Sequence, residues 1–438
     1  MAICGLFAAT AQVRAADDTP VSPMLTTHWS LMSPYNVLCP EIDGVHCSVG
    51  CVALAMGQIL NFNEFPDSAT FSGGYYLGAS LTRHTVEVND TYHWPYADVY
   101  ATEQEAAEGP AQMLNDCGYA VDMSYGYLGT ESAASMDMAA KALINFFGYP
   151  EEAVKYFKKA YFTKEEWHQL VADELQRNSP ILYSAVDSAK NFPHAFVLHG
   201  LDASGSAYIN WGWGGYYDGY FDLDDLQVAG YTLMSNQDMI VGIRPNVLSA
   251  DTIRSVFCTD KPYTFEYINE ADSFILSINA DVTNLTPVEY TGHFAIKIID
   301  ETAGTVIYDD LLEGATLTTK AFGVAFKPQA AGDTRTFDNG HTYLLSLVTK
   351  DERESAWQPI RTIGGPISYK LTVDDQGDVS IESKPIYTNI KQERLNEQES
   401  RALDGVKRYY TLDGREVGPS AKGLIIVKEG SRSYKIFR

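Results

Sequence analysis

The period of the apolar pattern changes along this chain, and the change limits what it can fold into. The helical stretches all come before residue 178; from residue 181 the apolar residues fall into short, strand-length runs. The first helical stretch is Val52-Ala53-Leu54-Ala55-Met56-Gly57-Gln58-Ile59-Leu60, with apolar positions 52, 55, 56, 59 and 60 on one side. Ser48 stands ahead of it as a candidate N-cap, and residues 63–66 end it. Helices are also expected near 103–117, 133–147 and 163–178, and residues 68–100 read as loops and short strands. Strands are expected at 181–186, 194–198, 207–211 and 220–222, with Gly, Ser and Asp turns between them. Helices first and strands later within one segment indicate an α+β domain over residues 20–247.

A second change of character follows. From 249 to 371 short alternating runs such as Ser273-Phe274-Ile275-Leu276-Ser277-Ile278 predict an all-β sandwich. Residues 372–404 are polar and charged and read as a linker, and 405–438 as a small C-terminal β module with strands at 408–412 and 424–427. Charge separates that last module from the rest: residues 385–438 hold 11 Lys+Arg and 7 Asp+Glu, a net of +4, against −25 for the whole chain.

The acidic total argues against nucleic acid and against an anionic membrane surface as partners. No apolar run reaches the roughly 18 residues needed to span a bilayer. Six cysteines, irregularly spaced over 438 residues, do not make a disulfide scaffold. Residues 1–19 read as a signal-peptide remnant or a disordered lead. They are apolar and end in small residues before Asp17-Asp18, but lack a basic start.

Three segments carry chemistry. Gly50-Cys51-Val52-Ala53 places a thiol in the first turn of a helix, where unpaired backbone N–H groups and the helix dipole favour thiolate. Taken alone, a structural buried cysteine is the plainer reading. His194-Ala195-Phe196-Val197 opens an apolar strand with a histidine; His199, five positions on, faces the opposite side. Asn210-Trp211-Gly212-Trp213-Gly214-Gly215 offers an Asn side chain that can accept from the second ring nitrogen of His194, with Trp211 shielding that bond. Together they run in the order Cys, His, Asn, each in suitable local structure.

With these motifs the chain resembles the streptopain family of bacterial cysteine peptidases, which have a papain-like fold. Pro34-Tyr35-Asn36, Val121-Asp122-Met123-Ser124-Tyr125-Gly126 and Asp218-Gly219-Tyr220-Phe221 agree as well. The resemblance implies a secreted endopeptidase with Cys51 as nucleophile, His194 as general base and acid, and Asn210 and Trp211 orienting the imidazole. The Cys51 sulfur is expected within hydrogen-bond reach of a His194 ring nitrogen. Gly50, Trp213, Met123, Tyr125 and Gly126 are expected to line the substrate cleft, with Trp213 on the leaving-group side. The substrates would be polypeptides, with no metal and no cofactor. The C-terminal segment resembles a tail of secreted Bacteroidetes-type proteins that serves sorting or cell-surface attachment.

Two departures stand out. The family has Gln two positions after the Trp of its Trp-x-Gln-x-x-Pro-Tyr-Asn motif, and that Gln donates to the oxyanion; here Leu31 holds the position. The family's glycine-rich loop after the Trp block is reduced to Ala229-Gly230-Tyr231-Thr232. Leu31 therefore supports an alternative, a catalytically impaired homologue that binds peptides or acts at a surface. Acyl transfer to an amine, an adhesion protein led by its β-sandwich, and a metal site at His46, Cys47 and Cys51 are further alternatives.

Overall fold

The computed structural model describes residues 19–98, 102–107, 109–129, 131–246, 256–268, 273–277, 281–311, 315–326, 329–331, 337–354 and 356–387, and four strands between Lys407 and Phe437. Residues 1–18 of the expected signal segment lie outside the described residues.

The first domain is built on a six-stranded antiparallel sheet. Its order across the sheet is Gly219–Phe221, Ala207–Asn210, Phe192–Leu201, Ile181–Asp187, Ser235–Val241 and Lys155–Lys158. Alternation along the strands splits the core in two. Leu182, Ala195, Val197 and Ile240 face the cluster that holds the Cys51–Asn63 helix. Ile181, Tyr183, Phe196 and Leu198 face the other, which holds the Lys164–Gln176 helix through Trp167, Val171 and Leu175. The sheet is thus covered on both faces, and for that reason its central strands read as continuous apolar runs.

Local signals explain most helix ends. Lys164–Gln176 starts on a capping box: Thr163 Oγ1 accepts from the Glu166 N–H, and the Glu166 carboxylate accepts from the Thr163 N–H. The helix expected near 103–117 is two, Glu103–Ala107 and Pro110–Ala120, and the proline opens the second at N1. Ser48 does not cap the first helix; Gly50 holds that position and offers no side-chain bond. Residues 68–100 hold more strand than expected, because Ser68–Leu77 and His84–Thr91 pair as one long hairpin. The strands Lys155–Lys158 and Ser235–Val241 were also not expected, and they close the sheet's far edge.

Among its described residues the second region holds strands and turns and no helix. Its longest ladder runs Tyr290–Asp300, Thr342–Asp351, Gly365–Val373, over a core that includes Phe257, Tyr263, Phe294, Leu345 and Tyr369. Val379–Ile381 and Ile386–Tyr387 pair with Gly365–Val373, so the sheet continues into the stretch expected to be linker. Their polar and charged surroundings hid these short edge strands from a composition-based boundary. The two regions are joined by specific contacts. Arg361 forms a two-pronged ion pair with Glu166, both bonds 3.0 Å, and its guanidinium lies 4.1 Å from the Phe162 ring. Tyr161 donates to Asp260 at 2.6 Å, and Gly364 N–H to Ala160 O at 2.8 Å. The C-terminal module is a four-stranded antiparallel sheet in the order Glu416–Val417, Lys407–Tyr410, Leu424–Glu429, Arg432–Phe437.

Candidate active site

Cys51 is the first residue of its helix, so its own N–H and those of Val52 and Ala53 have no intrahelical acceptor, while the Leu54 N–H bonds to the Gly50 carbonyl. Gly50 makes the entry possible. Its φ is +87°, and a Cβ there would lie 2.6 Å from the Met123 Cε. The sulfur faces the backbone N–H of Ala195, the residue next to His194. Two distant segments are thereby brought together: a helix start near residue 50 and a strand start near residue 194.

His194 is 3% exposed. Trp213 stacks on its ring at 4.9 Å between centroids and Phe192 at 5.7 Å. Its Nε2 lies 2.8 Å from the Trp211 carbonyl oxygen. A carbonyl only accepts, so Nε2 must carry the proton and the lone pair is left on Nδ1. Among the described residues no hydrogen bond joins Cys51 Sγ to the imidazole. Such contacts commonly tighten only when substrate binds.

Burial raises the Cys51 thiol above its ordinary value, opposed by the N–H groups of Ala195, Val52 and Cys51 itself. Burial also lowers His194 to about 4, opposed by the bond to the Trp211 carbonyl. Burial thus disfavours charge on both groups.

Asn210 does not orient His194. Its amide donates to Thr27 O at 2.6 Å and to Gln58 Oε1 at 3.0 Å, while its Oδ1 accepts from Gln58 Nε2 at 3.2 Å and from Gly212 N–H at 2.9 Å. Both ends of the amide are committed to the Cys51–Asn63 helix, Thr27 and the turn beyond, and the backbone carbonyl of Trp211 holds the imidazole. Trp211 is wholly buried and contributes its carbonyl as well as its ring. Gln58 was missed by sequence reasoning, although one glutamine in an otherwise apolar helix face was a signal.

The expected cleft residues divide. Trp213 is half-buried against His194, and Gly50 adjoins Cys51. Met123 and Tyr125 are both 0% exposed, and Gly126 is buried against Ile42. These three support the wall from behind and do not line it. The exposed part of their segment is Tyr127 and Leu128. Leu31 packs its side chain partly against the core, and its carbonyl accepts from the Val49 N–H at 2.9 Å. Ser30 Oγ is directed at Met32 O, 3.4 Å away. His46 spends both ring nitrogens, on Cys39 O at 2.7 Å and Glu41 at 3.2 Å, which takes it out of any site with Cys47 and Cys51.

Comparisons with known proteins bear on the family of this segment. The model of the peptidase C10 family matches residues 29–221. Streptopain of Streptococcus pyogenes is 27% identical over 266 residues, covering 55% of this chain and 66% of its own length. The thiol protease/hemagglutinin PrtT of Porphyromonas gingivalis is 28% identical over 232 residues, covering 50% of this chain and 26% of its own. The chain thus spans about two thirds of streptopain's length and about a quarter of PrtT's. The solved structure of Prevotella intermedia interpain A cysteine protease is 32% identical, with a TM-score of 0.47, over 52% of this chain and 97% of that one. Over residues 29–221 this chain matches the peptidase C10 family, and its relatives streptopain and PrtT support a cysteine-type peptidase.

Proposed function

We propose that this chain is an endopeptidase that cleaves polypeptides through a thioester on Cys51. The observation that carries the reading is the His194 Nε2–Trp211 carbonyl bond beside a helix-initiating cysteine, because it leaves Nδ1 as an available base. The sulfur attacks the scissile carbonyl as Nδ1 takes its proton, and the Cys51 N–H donates to the developing oxyanion. The imidazolium, stabilised by the Trp211 carbonyl, then gives the proton to the leaving amine. Water, deprotonated by the same nitrogen, breaks the thioester and restores the thiol.

Leu31 favours a second reading. An aliphatic side chain at the oxyanion position donates nothing, and loss of one such donor costs about 10²–10³ in rate. A peptide-binding or surface-interaction protein with weak residual chemistry fits that feature. Digestion of casein or a peptide library under reducing conditions, with Cys51→Ala as control, decides. Cleavage lost in the variant supports the peptidase. Absent cleavage, with Cys51 still alkylated by a thiol reagent, supports the impaired homologue.

The apolar N-terminal segment and the acidic charge support export from a bacterial cell, to the surface or beyond. Among the described residues no helix is long and apolar enough to cross a membrane. Residues 249–371 serve as a β-sandwich on the flank of the peptidase domain, and 405–438 as the attachment module.

A further inference from the structure

His199 lies on the same strand as His194 and takes no part in the proposed reaction, yet it is only 2% exposed. Its Nδ1 faces two backbone donors, the N–H of Met24 and the N–H of Leu25, each 3.1 Å away. Both donate, so Nδ1 holds a lone pair and the ring proton sits on Nε2. Nε2 is buried and has no hydrogen-bond partner among the described residues. The neutral ring is thus a double acceptor that pins a second chain segment. A further proton can enter only at Nδ1. It would set an N–H against two others, and those two would lose their acceptor.

The groups around the ring do not support its charge. The strand Ala207–Asn210 brings the Tyr208 ring to 5.0 Å between centroids, with Tyr220 of the strand Gly219–Phe221 beyond it. On the strand Ile181–Asp187 the one carboxylate, Asp187, sits at the far end, opposite Phe192. The Cys51–Asn63 helix has Cys51 as its only titratable side chain. The pinned segment carries His28, whose Nδ1 lies 2.9 Å from Asp98. Burial, and to a smaller extent charge on His28, lowers His199 to about 4.

Residues 22–29 form no regular structure, so few bonds hold them. Val21 and Leu201 exchange backbone bonds of 2.7 and 2.8 Å, and the Met24 N–H also reaches His199 O at 2.9 Å. Farther along, the carbonyls of Thr27, Trp29 and Leu31 accept from Asn210, Gly214 and Val49. His199 therefore anchors a segment that runs on to the turn after Trp211 and to the loop before Cys51.

We propose that His199 is an acid-sensitive latch: protonation at Nδ1 releases residues 21–25 from the Phe192–Leu201 strand and loosens the frame that residues 27–31 build around Cys51 and His194. The inference stands apart from the peptidase reading. In the open segment the ring is solvated and binds a proton at the ordinary value of about 6.5. Closure is then fully favoured above about pH 6.5 and is lost progressively as pH falls towards about 4.

Amide hydrogen exchange on the full chain, corrected for intrinsic rates, reads the latch at Val21, Met24 and Leu25. Opening there should rise about 50-fold from about pH 7 to about pH 4.5, while Ala207–Asn210 stays protected. In His199→Gln, whose side-chain oxygen accepts but does not titrate, the rise should stay below about 3-fold. No rise in the wild type, an unchanged rise in His199→Gln, or an equal rise across Ala207–Asn210 would overturn the latch. Nitrogen-labelled histidine spectra of the wild type give the second reading, which also serves if the variant fails to fold. His199 should show the Nε2–H tautomer near neutral pH and gain charge only as the Met24 and Leu25 amides lose protection. A ring that becomes charged while those amides stay protected would overturn the proposal.

Discussion

His194 Nε2 lies 2.8 Å from the carbonyl oxygen of Trp211, and this contact sets the tautomer of the imidazole without help from any side chain. A backbone carbonyl cannot be titrated or removed by side-chain substitution. The orientation of the imidazole therefore depends on the turn around Asn210–Gly212, and the consequences can be measured.

The first concerns pH. In the proposed reaction the imidazole must be neutral to accept the Cys51 proton, and burial lowers His194 to about 4. The acid limb of kcat/KM should fall near pH 4, leaving most of the activity at about pH 5. A limb near the ordinary histidine value of about 6.5 would mean the imidazole titrates as a solvated group.

The second concerns Asn210. Its amide pairs reciprocally with Gln58 and also holds Thr27 O. Asn210→Ala leaves Gln58 buried with fewer partners and should cost about 1–3 kcal/mol of stability. Activity should fall as the turn loosens, while the acid limb stays in place. Urea unfolding together with a pH–rate profile checks both, and a limb moved by Asn210→Ala would restore direct contact between Asn210 and the imidazole.

A third concerns the oxyanion. Leu31→Gln supplies the donor that the wild-type side chain lacks and should raise kcat/KM by about 10–10³-fold. Alkylation of Cys51 should change little, because it forms no oxyanion. If the wild type is efficient and unchanged by Leu31→Gln, yet inactive as Ser30→Ala or Ser33→Ala, a serine hydroxyl performs the task.

The fourth concerns the join between the two regions. Arg361 pairs through two nitrogens with Glu166, which also completes the cap of the Lys164–Gln176 helix. Arg361→Ala should lower stability by about 1–3 kcal/mol and expose the junction to limited proteolysis. Calorimetry would read the loss, and an unchanged melting profile would show that the other contacts alone hold the regions together.

Much of this protein was settled locally, by its sequence. The helix that begins at Cys51, the strand that carries His194 and the capping box at Thr163 follow from periodicity and short-range chemistry within a few residues. The candidate nucleophile and base were legible because thiol and imidazole are rare reactive groups in recognisable settings. Contacts across long separations were not legible. Asn210 is 183 residues from Thr27 and 152 from Gln58, and only packing decides that its amide goes to them and not to His194. Every residue has a carbonyl, so nothing in the sequence marked that of Trp211 as the acceptor. Met123 and Tyr125 failed as cleft residues for the same reason: a motif names a segment, but burial chooses which of its side chains reach the surface. The tertiary structure thus determined the hydrogen-bond partners and the exposed faces, because both depend on where distant chain segments meet.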